Sequence, residues 1–335
     1  MSELAEQVAV SINRPGVILA PMEGVTDAPM RALLTEEGRY LFCVTEFLRV
    51  TDQVPPVSVF RKHIPELNQN AKTPSQTPVL VQLLGGNPGR LAETAQRAVA
   101  LGAQGIDLNF GCPAPTVNRH DGGATLLQFP KRLFQIVSTV RQALPRTIPV
   151  SAKIRLGWSE PEDVFKNVES IASAGAAWVT IHARTRMQGY AKPVHWNYIR
   201  RVREMGFLPV VANGDIWNFE DFLKCHEMTG CDHYMIGRGA LGNPFLANAI
   251  TAFLQTKSSC KDRFVAPSSP ADWQPLVQRF ISLSGEFSDK QEYLVRRIKQ
   301  WVRLASLERP IPWFEHLKRT QSLEECVKTF TSNPS

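Results

Sequence analysis

The chain has 335 residues, 43% of them hydrophobic and 21% charged, with a formal net charge of +7. That is enough chain for one large domain and a smaller one, at ordinary globular composition. No apolar run approaches the roughly 18 residues of a membrane helix. The opening MSELAEQVAVSINRPG lacks the basic and apolar regions of a secretory signal, so the cytoplasm is the expected compartment.

Short apolar runs recur along the chain: VILAPM (17–22), LFCVTEF (41–47), VLVQLLG (79–85), GIDLNFG (105–111), VSAKIRLG (150–157), WVTIHAR (178–184), LPVVANGD (208–215) and HYMIGRGAL (233–241). Each is rich in Val, Ile or Leu and ends in Gly, Pro or a polar residue, as a buried parallel strand does. Between them lie helical stretches such as RLAETAQRAVALGA (90–103), KRLFQIVSTVRQAL (131–144) and DVFKNVESIASAGA (163–176). Strands and helices alternating in this number predict an α/β fold, a (β/α)8 TIM barrel. A doubly wound sheet is the rival. The strand count and the polar residues at the strands' C-terminal ends favour the barrel.

After Ile250 the pattern changes. KSSCKDRFVAPSSP (257–270) reads as a polar linker, and only helical periodicity follows. In EYLVRRIKQWVRLAS, the residues Leu294, Val295, Ile298, Trp301, Val302 and Ala305 share one helical face, and Arg296, Lys299 and Arg303 the opposite one. The chain therefore divides into a barrel over 1–256 and a linker with a small C-terminal all-α domain over 257–335. The second part carries 13 Lys/Arg against 9 Asp/Glu, which makes it the denser positive region. That charge admits a polyanionic partner.

Six cysteines lie at 43, 112, 225, 231, 260 and 326, without a C-x-x-C pair or a His cluster of zinc spacing. No metal is expected, and five of the thiols read as small buried hydrophobes. Cys112 stands apart. It follows the strand run GIDLNFG, between Gly111 and Pro113, at a strand's mouth.

In such barrels chemistry sits at the C-terminal ends of the strands. Those ends display Pro21-Met22-Glu23-Gly24, Gln82, Asn109 with Cys112, Lys153 with Arg155, His182 with Arg184, Asn213-Gly214-Asp215 and Gly237-Arg238-Gly239. Lys153/Arg155 and His182/Arg184 are spaced by two, which puts each pair on one side of its strand. A Lys and a His aimed into a barrel mouth are costly to bury without a purpose. The glycine-rich ends ANGD and IGRGALG suit a phosphate held by backbone N–H groups, with Arg238 adding a charge. GRGALG also matches G-x-G-x-x-G, but no further strand carrying an acid follows it, so a dinucleotide site is rejected. A phosphate site beside Lys, Gln and Asn groups could hold flavin mononucleotide, FMN. For Gln82 and Asn109, simple capping of strand ends remains open.

These residues carry a resemblance. APMEGVTD (20–27), NFGCPAPTV (109–117), DGGATLL (121–127), KIRLGW (153–158), HARTRMQGY (182–190), ANGD (212–215) and IGRGALGNP (236–244) resemble the tRNA-dihydrouridine synthases, in the family's order and over nearly the whole chain. TEFLRV (45–50) and RIKQW (297–301) are similar to the bacterial subgroup acting on U16 of the D-loop. The resemblance implies a flavin-bearing barrel, a helical domain that grips tRNA, and NADPH as electron source. It implies FMN contacts at Pro21, Met22, Glu23, Gln82, Lys153, Asn213, Gly214, Asp215, Gly237 and Arg238, with His182 beside the flavin. It makes Cys112 the proton donor, and implies tRNA contacts at Arg49, Asn109, Tyr190, Arg297, Lys299 and Lys318. Thr116 stands where many members carry Lys, and Asp215 where Glu is more usual.

The reaction so implied reduces the C5–C6 bond of a flipped-out uridine, with hydride reaching C6 and a thiol proton reaching C5. Lys153, His182 and Asn109 would polarise or orient the base. A monomer without a membrane partner is expected. For the basic stripe, a solvated helix face is the bland alternative. Periodicity favours Arg296 and Arg303 there, the resemblance Arg297 and Lys299. Two rival functions stay open: an FMN oxidoreductase of a free pyrimidine, and a non-catalytic RNA-binding barrel.

Overall fold

Leu133, Ile136, Val137 and Val140, at helical spacing, all turn inward from the helix Pro130–Ala143. Each such burial stabilises the fold by about 1.5–3 kcal/mol. The same logic wraps helices around a sheet in the computed structural model, which describes residues 12, 14–119, 121–258, 263–285 and 290–331. Cys260 and part of the expected 257–270 linker lie outside these residues.

The strands are β1 (Gly16–Leu19), β2 (Phe42–Val44), β3 (Leu48–Arg49), β4 (Val79–Leu84), β5 (Ile106–Phe110), β6 (Val150–Arg155), β7 (Val179–His182), β8 (Val210–Asn213) and β9 (His233–Ile236). The pairing runs β1–β2–β4–β5–β6–β7–β8–β9 and returns to β1, parallel throughout. This is a closed (β/α)8 barrel, and closure removes the exposed sheet edges that a doubly wound sheet would keep. All eight expected runs supply a barrel strand. The two-residue β3 is an addition, pairing Leu48 with Leu83 and Arg49 with Leu84.

The inside of the barrel changes character from one end to the other. Ile18, Phe42, Val44, Leu80, Trp178, Val211 and Met235 form an apolar plug, with Phe42 and Trp178 at 5.5 Å between ring centroids. Two residues further along the strands, Leu80 gives way to Gln82, Trp178 to Thr180 and then His182, and Val211 to Asn213. The strand period of two thus carries polar side chains to the C-terminal mouth.

Among the described residues, four helices follow the barrel: Pro270–Gly285, Gln291–Ala305, Phe314–Leu317 and Leu323–Thr331. The helix Gln291–Ala305 buries the apolar face expected of it. Trp301 packs against Trp273 at 5.1 Å, and its indole N–H donates to the Leu241 carbonyl at 3.0 Å, which seats the helix on the barrel. Arg279 and Glu36 add a surface ion pair at 2.9 Å. Among the described residues, no helix is long and apolar enough to cross a membrane.

Candidate active site

A cleft of about 610 Å³ opens at the C-terminal ends of the strands. The end of β1 contributes Pro21, Met22 and Glu23, and β4 contributes Gln82. Asn109 and Cys112 come from β5 and its loop, Lys153 from β6, His182 from β7 and Tyr190 from the loop after β7. Asn213, Gly214 and Asp215 come from β8, Gly237 and Arg238 from beyond β9. The structure therefore brings every residue expected to touch flavin to one cavity, together with Cys112.

Cys112 is half-buried at the cavity wall. The side-chain oxygen of Asn109 accepts from the backbone N–H of Gly111 at 3.0 Å and of Cys112 at 2.9 Å. Gly123 packs behind the loop. Its φ is +61°, and a Cβ there would lie 2.9 Å from the Cys112 carbonyl, so only glycine fits. Burial pushes the Cys112 thiol above the ordinary range, only partly offset by the backbone and by Arg155 and Lys153. The thiol is therefore kept protonated, fit to be an acid rather than a nucleophile.

Lys153 Nζ donates to the Asn213 amide oxygen at 3.1 Å, and Asn213 in turn donates to the Met235 carbonyl at 2.8 Å. Burial, with Arg155 nearby, lowers the Lys153 ammonium to about 8. Burial and the surrounding cations Arg155, Lys153, Arg184 and Arg238 hold His182 well below its usual value, so it is neutral at pH 7. Its Nε2 is buried without a hydrogen-bond partner. Glu23 keeps an exposed surface, yet loss of water at the cleft and the neighbouring Glu46 raise its carboxyl to about 7.

Asp215, expected as a ribityl contact, pairs with buried Arg184 and lies 3.6 Å from Arg238. Arg184 follows a turn in which its own N–H donates to the His182 carbonyl at 2.7 Å, so the two do not continue one strand face as their spacing suggests. Arg238 stacks between Tyr190 and Trp217, at 4.7 and 4.4 Å from their ring centroids.

The expected tRNA contacts fall into three groups. Asn109 and Tyr190 line the cleft; Tyr190 is 57% exposed, whereas Asn109 is buried. Arg49 and Lys318 are exposed, Arg49 donating to the Thr116 carbonyl at 3.4 Å and Lys318 pairing with Glu315. Arg297 and Lys299 face the protein instead. Arg297 is 4% exposed and spends its donors on Asp27, Gly24, Val25 and Gln300. Lys299 donates to the carbonyls of Lys318 and Thr320. Arg296 and Arg303, which periodicity placed outward, are exposed.

A flavin has a flat ring with a polar edge and an anionic tail. The cleft offers an unpartnered buried His182 nitrogen, a Lys153 ammonium with one protein acceptor, and backbone at Gly214 with φ +117°. A Cβ at Gly214 would come within 2.9 Å of His182 Cδ2, so the cradle needs glycine there. This donor-rich set fits such a group.

A profile of the dihydrouridine synthase family matches residues 18–332. The chain belongs to the dihydrouridine synthase family. It is 49% identical over 289 residues to the tRNA-dihydrouridine(16) synthase of Vibrio parahaemolyticus, with 85% of each chain covered. To that of Shewanella oneidensis it is 44% identical over 319 residues, covering 93% of this chain and 96% of the relative. The tRNA-dihydrouridine(16) synthase of Escherichia coli O157:H7 is 44% identical over 288 residues, covering 85% and 87%. Among solved structures, histamine dehydrogenase from Rhizobium sp. 4-9 matches with a TM-score of 0.55 at 13% identity, over 80% of this chain and 48% of that one, a likeness of fold alone.

This dihydrouridine synthase has further residues at the site and beneath it. Asp107 lies under Gln82 and Asn109, and its position two residues before Asn109 on β5 was the available signal. Glu46, Phe47, Trp217, Leu304 and Leu307 also line the cleft. The last two belong to the C-terminal helices and their following turn, and no local pattern links them to the barrel mouth.

Proposed function

We propose that this dihydrouridine synthase reduces the C5–C6 double bond of a D-loop uridine in tRNA, U16, using bound FMN and NADPH as reductant. The observation that carries the reading is the shared rim of Cys112, Lys153 and His182, beside the glycine-rich ends of β8 and β9. The named relatives, tRNA-dihydrouridine(16) synthases, supply the nucleotide position.

Lys153, Gln82 and Asn213 would hold the polar edge of the flavin, with Pro21, Met22 and Glu23 along its side. Gly214, Asp215, Gly237 and Arg238 would hold its tail, the phosphate meeting backbone N–H groups and a guanidinium. Held there and reduced by NADPH, the flavin would supply the hydride for C6 of the uracil. Neutral His182 and Asn109 orient the base. Lys153 would offer its positive charge to whatever negative charge develops in the cleft. As C6 gains its hydride, the electron pair of the C5–C6 bond takes the Cys112 proton at C5. The Cys112 thiolate then recovers a proton from solvent through its half-exposed side.

The target base leaves the RNA stack to enter the cleft, passing Tyr190, whose exposed ring is suited to stacking. Arg49 and Lys318 meet phosphates on the outer surface. Residues 1–256 form the catalytic part and 257–335 the RNA-gripping part of a cytoplasmic monomer. Mapping dihydrouridine in tRNA from cells lacking this protein tests the reading. Loss confined to position 16 is expected; loss at another D-loop position, or none, overturns it.

A further inference from the structure

The group that the proposed chemistry leaves unused is Asp107. It is 1% exposed, sits inside the barrel on β5, and touches neither the cleft nor solvent. Its Oδ2 accepts from Gln82 Nε2 at 2.7 Å, and its Oδ1 from the Ser151 hydroxyl at 2.6 Å. Gln82 Oε1 accepts from Asn109 Nδ2 at 2.8 Å. Asn109 Oδ1 accepts from the backbone N–H groups of Gly111 and Cys112.

The direction of this chain is fixed from its far end. A backbone N–H can only donate, so Asn109 must turn its oxygen to Gly111 and Cys112. Its NH2 then faces Gln82, which must answer with oxygen. The Gln82 NH2 is left pointing at position 107, where an acceptor is required. An ionised carboxylate is acceptor-only, and it takes the Ser151 proton with its second oxygen. Burial raises the Asp107 carboxyl above its ordinary value, and the bonds from Ser151 and Gln82, with the charge of Lys153 next to Ser151 on the same strand face, pull it back. Reversing one amide would leave two donors or two oxygens opposed in a dry interior, at the cost of an unsatisfied buried group.

We infer that Asp107 is a positioning residue: through Gln82 and Asn109 it sets the polarity of a buried hydrogen-bond relay that holds the Cys112 loop in place. The inference rests on Cys112 as proton donor for its catalytic meaning, though not for its geometry. It also explains why Gln82 and Asn109 are amides. Each must donate at one end and accept at the other, which neither a carboxylate nor an apolar side chain does.

The test reverses the relay. Asn109→Asp still accepts from the loop but presents oxygen to Gln82. Gln82 must then turn its NH2 to position 109 and its oxygen to Asp107, where two acceptors clash. Adding Asp107→Asn supplies the missing donor, and the new amide oxygen takes the Ser151 proton. The double variant has the charge of the wild type and the whole chain running the other way. Asp107→Asn alone keeps the original direction, because its amide oxygen can still accept from Gln82.

The readout is the rate of alkylation of Cys112 by iodoacetamide, followed on its own peptide in the purified protein without tRNA or NADPH. Asn109→Asp is expected to change that rate about fivefold, the worth of roughly one buried hydrogen bond. The double variant should recover most of the change, and Asp107→Asn alone should stay near wild type. A double variant no closer to wild type than Asn109→Asp overturns the relay. If Asn109→Asp does not fold, folding of the double variant is itself the rescue. Asp107→Leu, which removes the acceptor, should alter alkylation as Asn109→Asp does, and an unchanged rate there overturns the relay too. A wild type inactive on tRNA but showing the rescue pattern would refute the reaction and leave the relay standing.

Discussion

The guanidinium of Arg297 lies 3.0 Å from the carboxylate of Asp27, and the pair joins the tail helix Gln291–Ala305 to the loop at the mouth of β1. Tyr293 donates to the same carboxylate oxygen at 2.6 Å, and Arg297 also holds the Gly24 carbonyl at 3.1 Å. Asp27 caps the helix Ala28–Glu37 by accepting from Met30 N–H at 3.2 Å. Arg297 thus steadies the stretch that follows Pro21, Met22 and Glu23. Removing it strands a partly buried carboxylate, so Arg297→Ala should cost about 3 kcal/mol in urea denaturation. The salt dependence of tRNA binding should not change, because no phosphate contact is lost. A variant of unaltered stability with a shallower salt slope would make Arg297 an RNA contact instead.

Arg49 and Lys318 give the opposite expectation. Both are exposed on the surface. Arg49→Ala and Lys318→Ala should each weaken tRNA binding and reduce the slope of log K against log salt by about 0.7–0.9, with melting temperature unchanged. Filter binding across a salt series reads this directly. Slopes equal to wild type would remove both residues from the interface.

Cys112→Ala separates the two halves of the reaction. Flavin reduction by NADPH should proceed at the wild-type rate, while reduction of tRNA uridine falls by about 100-fold or more. Stopped-flow absorbance of the flavin follows both steps. Unchanged oxidation by tRNA would show that the proton comes from elsewhere. The same preparation should be yellow and should release its flavin on denaturation.

The pH profile has a defined sign. Lys153 is lowered to about 8, so its positive charge is present below that pH and lost as pH rises through it. Cys112 is raised, so its proton is retained beyond the ordinary thiol range. Uridine reduction should therefore fall above about pH 8 on account of Lys153, before the thiol ionises. Lys153→Arg stays charged throughout. It should abolish this limb even where it lowers the rate, and a limb that persists in that variant would assign it to another group.

Much of the barrel was legible because its strands are buried on both faces and announce themselves as apolar runs, from VILAPM to HYMIGRGAL. The mouth residues were legible because each lies at the end of such a run. What escaped was the consequence of contacts between distant segments. Arg297 and Lys299 sit on a helix whose charges look alike in sequence. Periodicity sets Arg296 and Arg303 outward and apart from Arg297, but it groups Lys299 with them, and only the bonds of Lys299 to the Lys318 and Thr320 carbonyls tell it apart. Asp107 was hidden for another reason. In a run such as GIDLNFG an acid reads as an interruption, and its worth appears only once Gln82 and Ser151 are brought to its two oxygens. The two-residue β3 is too short to carry any periodic signal.

Leu304 and Leu307 complete the wall of the cleft, and Glu308 meets Lys192, close to Tyr190, at 3.6 Å. The tail is therefore a piece of the reaction vessel. A change in how the tail packs on the barrel is also a change in the shape of the cleft. A substitution in the tail that displaces Leu304 or Leu307 would therefore be felt inside the cleft as well as on the outer surface, so that the two cannot be altered one at a time.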